Sequence, residues 1–199
     1  MDFGISKTNV GRIAERIVSN ELEYHGFRVS DLNKEGTSAN ADLLAVKDGK
    51  PWQIQVKGST DDDGPWFGYG FCTDEIIKGP DPMFNKSKSF YIAEIVVLVS
   101  VRAPKEYSFL AAPFAIAEKA AQINLDREFR TNRKDGKPKQ PGPVWIAFYI
   151  PPRLPDGDRK ASIVKEQELL KPYLDNWGAF IPHPGRSPEG QSATLAIPR

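Results

Sequence analysis

The residues of this chain that can do chemistry at close spacing are Asp42, Gln55 and Lys57. Residues 51–57 read Pro-Trp-Gln-Ile-Gln-Val-Lys, so Trp52, Ile54 and Val56 alternate with Gln53, Gln55 and Lys57. That is strand periodicity, and it puts Gln55 and Lys57 on one face. Two readings are open on the strand alone. One is the wet face of an antiparallel strand, where lysine and glutamine are ordinary. The other is an amide oxygen that meets a cation, beside an ammonium that holds a water or a phosphate oxygen.

The flanking residues favour the second reading. Lys47-Asp-Gly-Lys50 supplies the positive φ angles of a two-residue hairpin, so 42–46 and 52–57 are expected to pair antiparallel. Residues entering the turn approach residues leaving it, so Asp42 sits beside Gln55 and Lys57 if it faces the same side. A carboxylate and an amide oxygen form a hard oxygen site suited to Mg²⁺, an ion that keeps most of its waters and needs few protein ligands.

A helix must precede this hairpin. Val10, Ile13, Ala14, Ile17, Val18 and Leu22 recur at helical spacing over 9–25, with Asn9 as N-cap and Gly26 as the residue past the C-terminus. Glu15 falls at the edge of the apolar stripe. It is either a solvated flank residue, like Glu21 and Glu23, or a carboxylate that reaches over the sheet toward Asp42. Phe27, Val29 and Asp31 read as a first strand.

Glu15 on a leading helix, Asp42 at the head of a strand and Gln55-x-Lys57 on the next strand resemble the PD-(D/E)XK nuclease superfamily, in its restriction-endonuclease-like and Holliday-junction-resolvase-like members. The phrases Gly11-Arg-Ile-Ala-Glu15, Tyr24-His-Gly-Phe-Arg-Val29 and Ile54-Gln-Val-Lys57 carry the likeness. Later parts also look similar: the strand pair Val96–Val101 and Tyr107–Ala111, Pro113 opening a helix, and Trp177 near a late one. Two departures stand out. Ala41 replaces the proline before the aspartate, and Gln55 replaces the usual glutamate, which removes one negative charge.

The resemblance implies an α/β fold: a restriction-endonuclease-like mixed central sheet flanked by helices, with an α-β-β-β start. It implies a nuclease domain over 1–181, with inserted loops at 60–90 and 127–143, followed by an arm or tail over 182–199. It implies Mg²⁺-dependent phosphodiester hydrolysis, of DNA rather than RNA, with Mn²⁺ as a substitute. Asp42, Gln55 and the Val56 carbonyl would hold the ion, and Glu15 would bind it directly or through water. Lys57 would orient the attacking water or compensate charge in the transition state. Ser38, with Thr37, would meet the scissile phosphate, although both also suit an ordinary turn. The alternative is a catalytically inactive nucleic-acid-binding or protein-interaction domain on the same scaffold. A homodimer is left open.

Composition bounds the rest. A chain of 199 residues can bury one good core. No apolar run approaches transmembrane length and no membrane partner is expected. The start Met-Asp-Phe-Gly-Ile shows no signal-peptide pattern. Cys72 is the sole cysteine, which fits a reducing cytoplasm and excludes a cysteine zinc cluster. The only histidines, His25 and His183, stand far apart in sequence, against zinc catalysis and a Ser-His-Asp triad.

A net charge of +1 does not advertise nucleic-acid binding, so the distribution has to. Residues 127–139 gather Arg127, Arg130, Arg133, Lys134, Lys137 and Lys139 against Glu128 and Asp135. Arg130, Arg133 and Lys134 are the candidate phosphate-binding residues; a solvated surface loop is the equal alternative. Trp66, Phe67, Tyr69 and Phe71 lie in the Gly- and Pro-rich stretch 60–90, as packing residues or as stacking platforms for unpaired bases. Glu94–Val101 and Val144–Ile150 read as strands, Phe114–Ile123 as a helix, and Ser162–Asp175 as a helix interrupted at Pro172.

Overall fold

The computed structural model describes residues 7–32, 41–60, 66–73, 88–89, 93–103, 106–129, 136, 140–147 and 160–179. The chain opens with a helix, α1 (Lys7–Tyr24), followed by the strands β1 (Arg28–Asp31), β2 (Leu43–Lys47) and β3 (Lys50–Ser59). This is the expected α-β-β-β start. Next come β4 (Trp66–Cys72), β5 (Lys88–Ser89), β6 (Ile95–Ala103), β7 (Glu106–Pro113), α2 (Phe114–Phe129), β8 (Gly142–Ala147) and α3 (Lys160–Leu170).

The main sheet has five strands in the order β1-β2-β3-β6-β7. It is mixed: β3 and β6 run parallel, and every other pair is antiparallel. The parallel pair needs a long crossover, which residues 60–94 supply. That crossover contains β4 and β5, which form a second sheet with β8 in the order β5-β4-β8. The stretch 60–90 is therefore more than a connection, and the return of β8 beside β4 ties it to the segment after α2. The paired residues, from Cys72 with Gly142 to Trp66 with Ala147, stand far apart in sequence, so local pattern gives no sign of the return.

The β2–β3 turn is built as expected. Asp48 and Gly49 have φ of 52° and 74°, and Lys47 pairs with Lys50 across them. The helix α1 ends at Gly26, whose φ is 84°; Gly26 donates to the Glu23 carbonyl at 2.9 Å and Phe27 to that of Leu22 at 3.0 Å. This double bond pattern closes a helix in the left-handed conformation that glycine adopts without strain. Asn9 is not the N-cap, because helical hydrogen bonding already starts at Lys7. The second helix runs six residues past Ile123, to Phe129. The last strand starts at Gly142, two residues before the expected Val144, and residues 148–150 lie outside the described residues. The third helix stops at Leu170, and Pro172 lies in the 3₁₀ turn Lys171–Tyr173 that follows.

Alternation sorts the core into two layers. Ile54, Val56, Ile95, Val97, Val99, Phe109 and Ala111 pack against Ala14, Val18 and Leu22 of α1. Val96, Leu98, Leu110 and Ala112 face Ala117, Ala120, Ala121 and Leu125 of α2, together with Leu170 and Cys72. The β7 edge is covered by the chain after α3. Asp175 accepts from the Phe109 N–H through Oδ1 and returns its own N–H to the Phe109 carbonyl, each at 2.8 Å, and Trp177 stacks on the Phe109 ring. Covering an edge in this way removes a template for strand-to-strand association.

Candidate active site

The site lies where β2 stops short of β3. The last β2–β3 pair is Leu43 with Ile54, whereas β3 continues to Ser59. Among the described residues, this leaves a notch in the sheet alongside residues 55–59. Asp42 stands at its head with its backbone held on both sides. Its N–H donates to the Ile54 carbonyl and its own carbonyl accepts from the Leu32 N–H, both at 2.9 Å.

The Asp42 side chain continues the ladder that the backbone abandons. Its Oδ2 accepts from the Val56 N–H at 2.7 Å, and the same oxygen accepts from Nε2 of Gln55. A strand N–H lies in the plane of its sheet, so the carboxylate occupies the notch rather than one face. Within a strand, the N–H and C=O of one residue point to the same side, so the Val56 carbonyl also faces the notch. It lies 3.5 Å from Nε2 of Gln55.

The other residues reach the notch from opposite faces. Gln55 pairs with Val96 and Lys57 with Leu98, which places both on the α2 face of the sheet. Gln55 is only 3% exposed and Lys57 is half-buried, so this is not the wet face of a strand. Glu15 comes from α1 on the other face and is half-buried. Burial is the first cause that pushes its carboxyl above the ordinary value, and the negative charges of Asp42 and Asp31 add to it. Lys57 and Arg12 oppose the shift. Glu15 therefore shares one electrostatic environment with Asp42 and Lys57.

The approach of α1 depends on Gly58. A Cβ built at this position would lie 2.8 Å from the Ala14 Cβ, 2.8 Å from the Val10 carbonyl oxygen and 3.2 Å from Val10 Cγ1. The glycine directly after Lys57 lets the helix lie against β3 closely enough to bring Glu15 to the notch.

The structure thus gathers Glu15, Asp42, Gln55, Val56 and Lys57 at one place. Gln55 turns its amide nitrogen, not its oxygen, toward Asp42. An ionised carboxylate can only accept, so the group that faces it must be the donor. Ser38 and Thr37 lie outside the described residues, as do Arg130, Arg133 and Lys134. Arg127 falls within α2, and its side chain is not described. The same holds for Trp66, Phe67, Tyr69 and Phe71, whose backbone forms β4.

Sequence reasoning passed over Asp31, Arg12 and Gly58. Asp31 pairs with Leu43, one residue from Asp42. The signal for it was its place at the far end of the first strand, which the antiparallel order brings level with the head of the second.

The donor set suits a small hard cation: one carboxylate in the notch, a backbone carbonyl, an amide that offers oxygen after a half-turn, and a second carboxylate on α1. Among the described residues, no three His, Cys, Asp or Glu side chains cluster as a metal site. Also among the described residues, no helix is long and apolar enough to cross a membrane.

No family model matches this sequence, and no curated protein does. Among solved structures, the fold is similar to a bacterial homing endonuclease, I-Ssp6803I, with a TM-score of 0.39 and 14% identity over 87% of this chain and 90% of the other. At that score and identity, the likeness decides neither fold family nor activity.

Proposed function

We propose that the chain is a metal-dependent nuclease of restriction-endonuclease-like fold that hydrolyses phosphodiester bonds, of DNA in preference to RNA. One observation carries the reading: Asp42, the Gln55 amide and the Val56 backbone meet at a break in the sheet, with Glu15 and Lys57 in the same electrostatic field. Solvated surface residues do not converge in this way from two strands and a helix.

Each residue has work that fits its chemistry. Asp42, the Val56 carbonyl and Gln55 would hold Mg²⁺ or Mn²⁺, with Glu15 bound directly or through water. The ion would supply Lewis acidity at the phosphoryl oxygen. Lys57, beside the notch, would orient the attacking water and offset the charge that grows on the phosphoryl oxygens. Arg130, Arg133 and Lys134 would bind further phosphates and so position the substrate without reading its sequence.

A second reading has its own observation. Asp42 already receives two donors from the protein, so the notch is satisfied without a cation. That favours a catalytically silent nucleic-acid-binding or interaction domain on the same scaffold. A cleavage panel separates the two. Labelled duplex, single-stranded and branched DNA, with RNA alongside, would be incubated with the protein in Mg²⁺, in Mn²⁺ and in a chelator. The nuclease reading expects cleavage of at least one DNA substrate that the chelator stops; binding without cleavage of any substrate would support the silent scaffold.

A further inference from the structure

We propose that Gln55 is a latch on Asp42, one that makes cation capture depend on a nucleic-acid phosphate already lying in the notch. The inference rests on reading the notch as a divalent-cation site, and it concerns the order in which that site fills.

The latch follows from three features of the notch. First, Nε2 of Gln55 and the Val56 N–H both donate to the same oxygen of Asp42. The carboxylate is thereby oriented and its charge spread into two protein donors. Hydrogen bonds to a charged acceptor are worth more than neutral ones. A cation that approaches Asp42 therefore has to compete with bonds that a bare carboxylate would not have.

Second, Gln55 is 3% exposed. Once its bond to Asp42 is broken, its amide nitrogen cannot simply turn to water. A half-turn about the last side-chain torsion exchanges nitrogen for oxygen at the same place, and such sp³–sp² torsions are broad and roughly two-fold. The exchange suits a cation at the notch: with none present, the amide oxygen would face a carboxylate, acceptor against acceptor. Gln55 thus has two settings, one for the cation-free site and one for the loaded site.

Third, the notch carries the carboxyl groups of Asp42 and Glu15, with Lys57 in the same field. With a neutral amide in place of a third carboxylate, little net negative charge opposes the bonds of the latch. A phosphate oxygen brings the missing charge. A divalent ion then gains a further ligand at the moment Gln55 releases Asp42, so substrate and cation are expected to bind cooperatively.

The test uses the full chain and reads binding, not cleavage. Mn²⁺ would be titrated calorimetrically into the parent protein and into Gln55→Glu, each alone and with a short phosphorothioate duplex. The parent is expected to take Mn²⁺ weakly alone and at least about tenfold more tightly with the duplex, a coupling of about 1.4 kcal/mol. The Gln55→Glu protein, whose ionised side chain cannot donate to Asp42, is expected to take Mn²⁺ tightly alone and to lose most of the duplex dependence.

A second variant guards against misfolding of the first. Gln55→Met keeps the length of the side chain but has neither donor nor amide oxygen. It is expected to bind the duplex as the parent does and to lose the Mn²⁺-dependent gain. Equal Mn²⁺ affinity of the parent with and without duplex, at the level of Gln55→Glu, would overturn the latch and leave the metal site standing. So would a full Mn²⁺-dependent gain in Gln55→Met. Failure of the parent and Gln55→Glu to take Mn²⁺ under any condition would overturn the metal-site reading and the latch together.

Discussion

Gly58 offers a way to move one part of the site without touching any group that does chemistry. The methyl added by Gly58→Ala would lie 2.8 Å from both the Ala14 Cβ and the Val10 carbonyl oxygen. Neither atom can swing aside, because one is bonded directly to the helix backbone and the other is part of it. Carbon atoms in contact sit about 3.5–4.0 Å apart, so α1 must retreat from β3 by roughly 1 Å. Overpacking of this kind costs about 1–3 kcal/mol. Replacing a strand glycine returns about 0.5–1 kcal/mol through the unfolded chain. The net loss is about 1 kcal/mol, which for a chain of this length lowers the melting temperature by about 2–4 °C.

The functional effect should be larger than the thermal one. Glu15 rides on the displaced helix, and a displacement of about 1 Å can cost on the order of 10²-fold in rate. The assays are thermal denaturation followed by circular dichroism, and initial cleavage rates of a labelled DNA substrate. Adding Ala14→Gly to Gly58→Ala removes one of the two close approaches and is expected to restore part of the rate. A Gly58→Ala protein that melts and cleaves as the parent does would refute the claim that helix–strand approach sets the position of Glu15.

Further expectations follow from the same geometry. Glu15 is raised above its ordinary carboxyl value, so the folded state holds its proton more tightly than the unfolded chain. Its contribution is favourable below the unfolded value and is lost as pH rises through the folded one. Glu15→Gln should therefore melt higher than the parent at about pH 7 and show no such advantage at about pH 4, while cleavage is lost; a difference in melting temperature that does not change with pH would contradict the assignment. Cys72 is buried and its thiol is pushed up to about 11, so a thiol-alkylating reagent should leave it untouched in the native protein and modify it only after denaturant unfolding. Replacing Arg130, Arg133 and Lys134 with alanine should weaken DNA binding alike for all sequences and reduce the salt slope by about one for each phosphate no longer neutralised; an unchanged slope would remove this segment from the interface.

The parts of the fold that were legible in the sequence are those whose signal is local. The Asp48-Gly49 turn fixes the hairpin, Gly26 ends α1, apolar alternation marks β3, and an unbroken, mostly β-branched run marks β6. The register of the hairpin follows from its turn, which is why Asp42 and Gln55 were legible as neighbours. Non-local features were hidden. The pairing of β4 with β8 joins segments far apart in sequence. The complete burial of Glu166 on α3 has no local sign either. At the site, the residue types alone could not say which end of the Gln55 amide faces Asp42, because the backbone places both ends equally well and only the acceptor character of the carboxylate selects one. Gly58 carries no local sign of its role, which lies in what α1 brings against it.

The most direct test of the account is a single substitution that changes charge and almost nothing else. Asp42→Asn keeps the shape of the side chain and an oxygen that can accept from the Val56 N–H, so the protein should remain folded by circular dichroism. It removes the negative charge on which cation binding depends. With labelled DNA and Mg²⁺, the parent should cleave and Asp42→Asn should show no cleavage above the chelator control. A folded Asp42→Asn protein that cleaves at the parent's rate in Mg²⁺ would contradict the claim that the chemistry resides in the notch between β2 and β3.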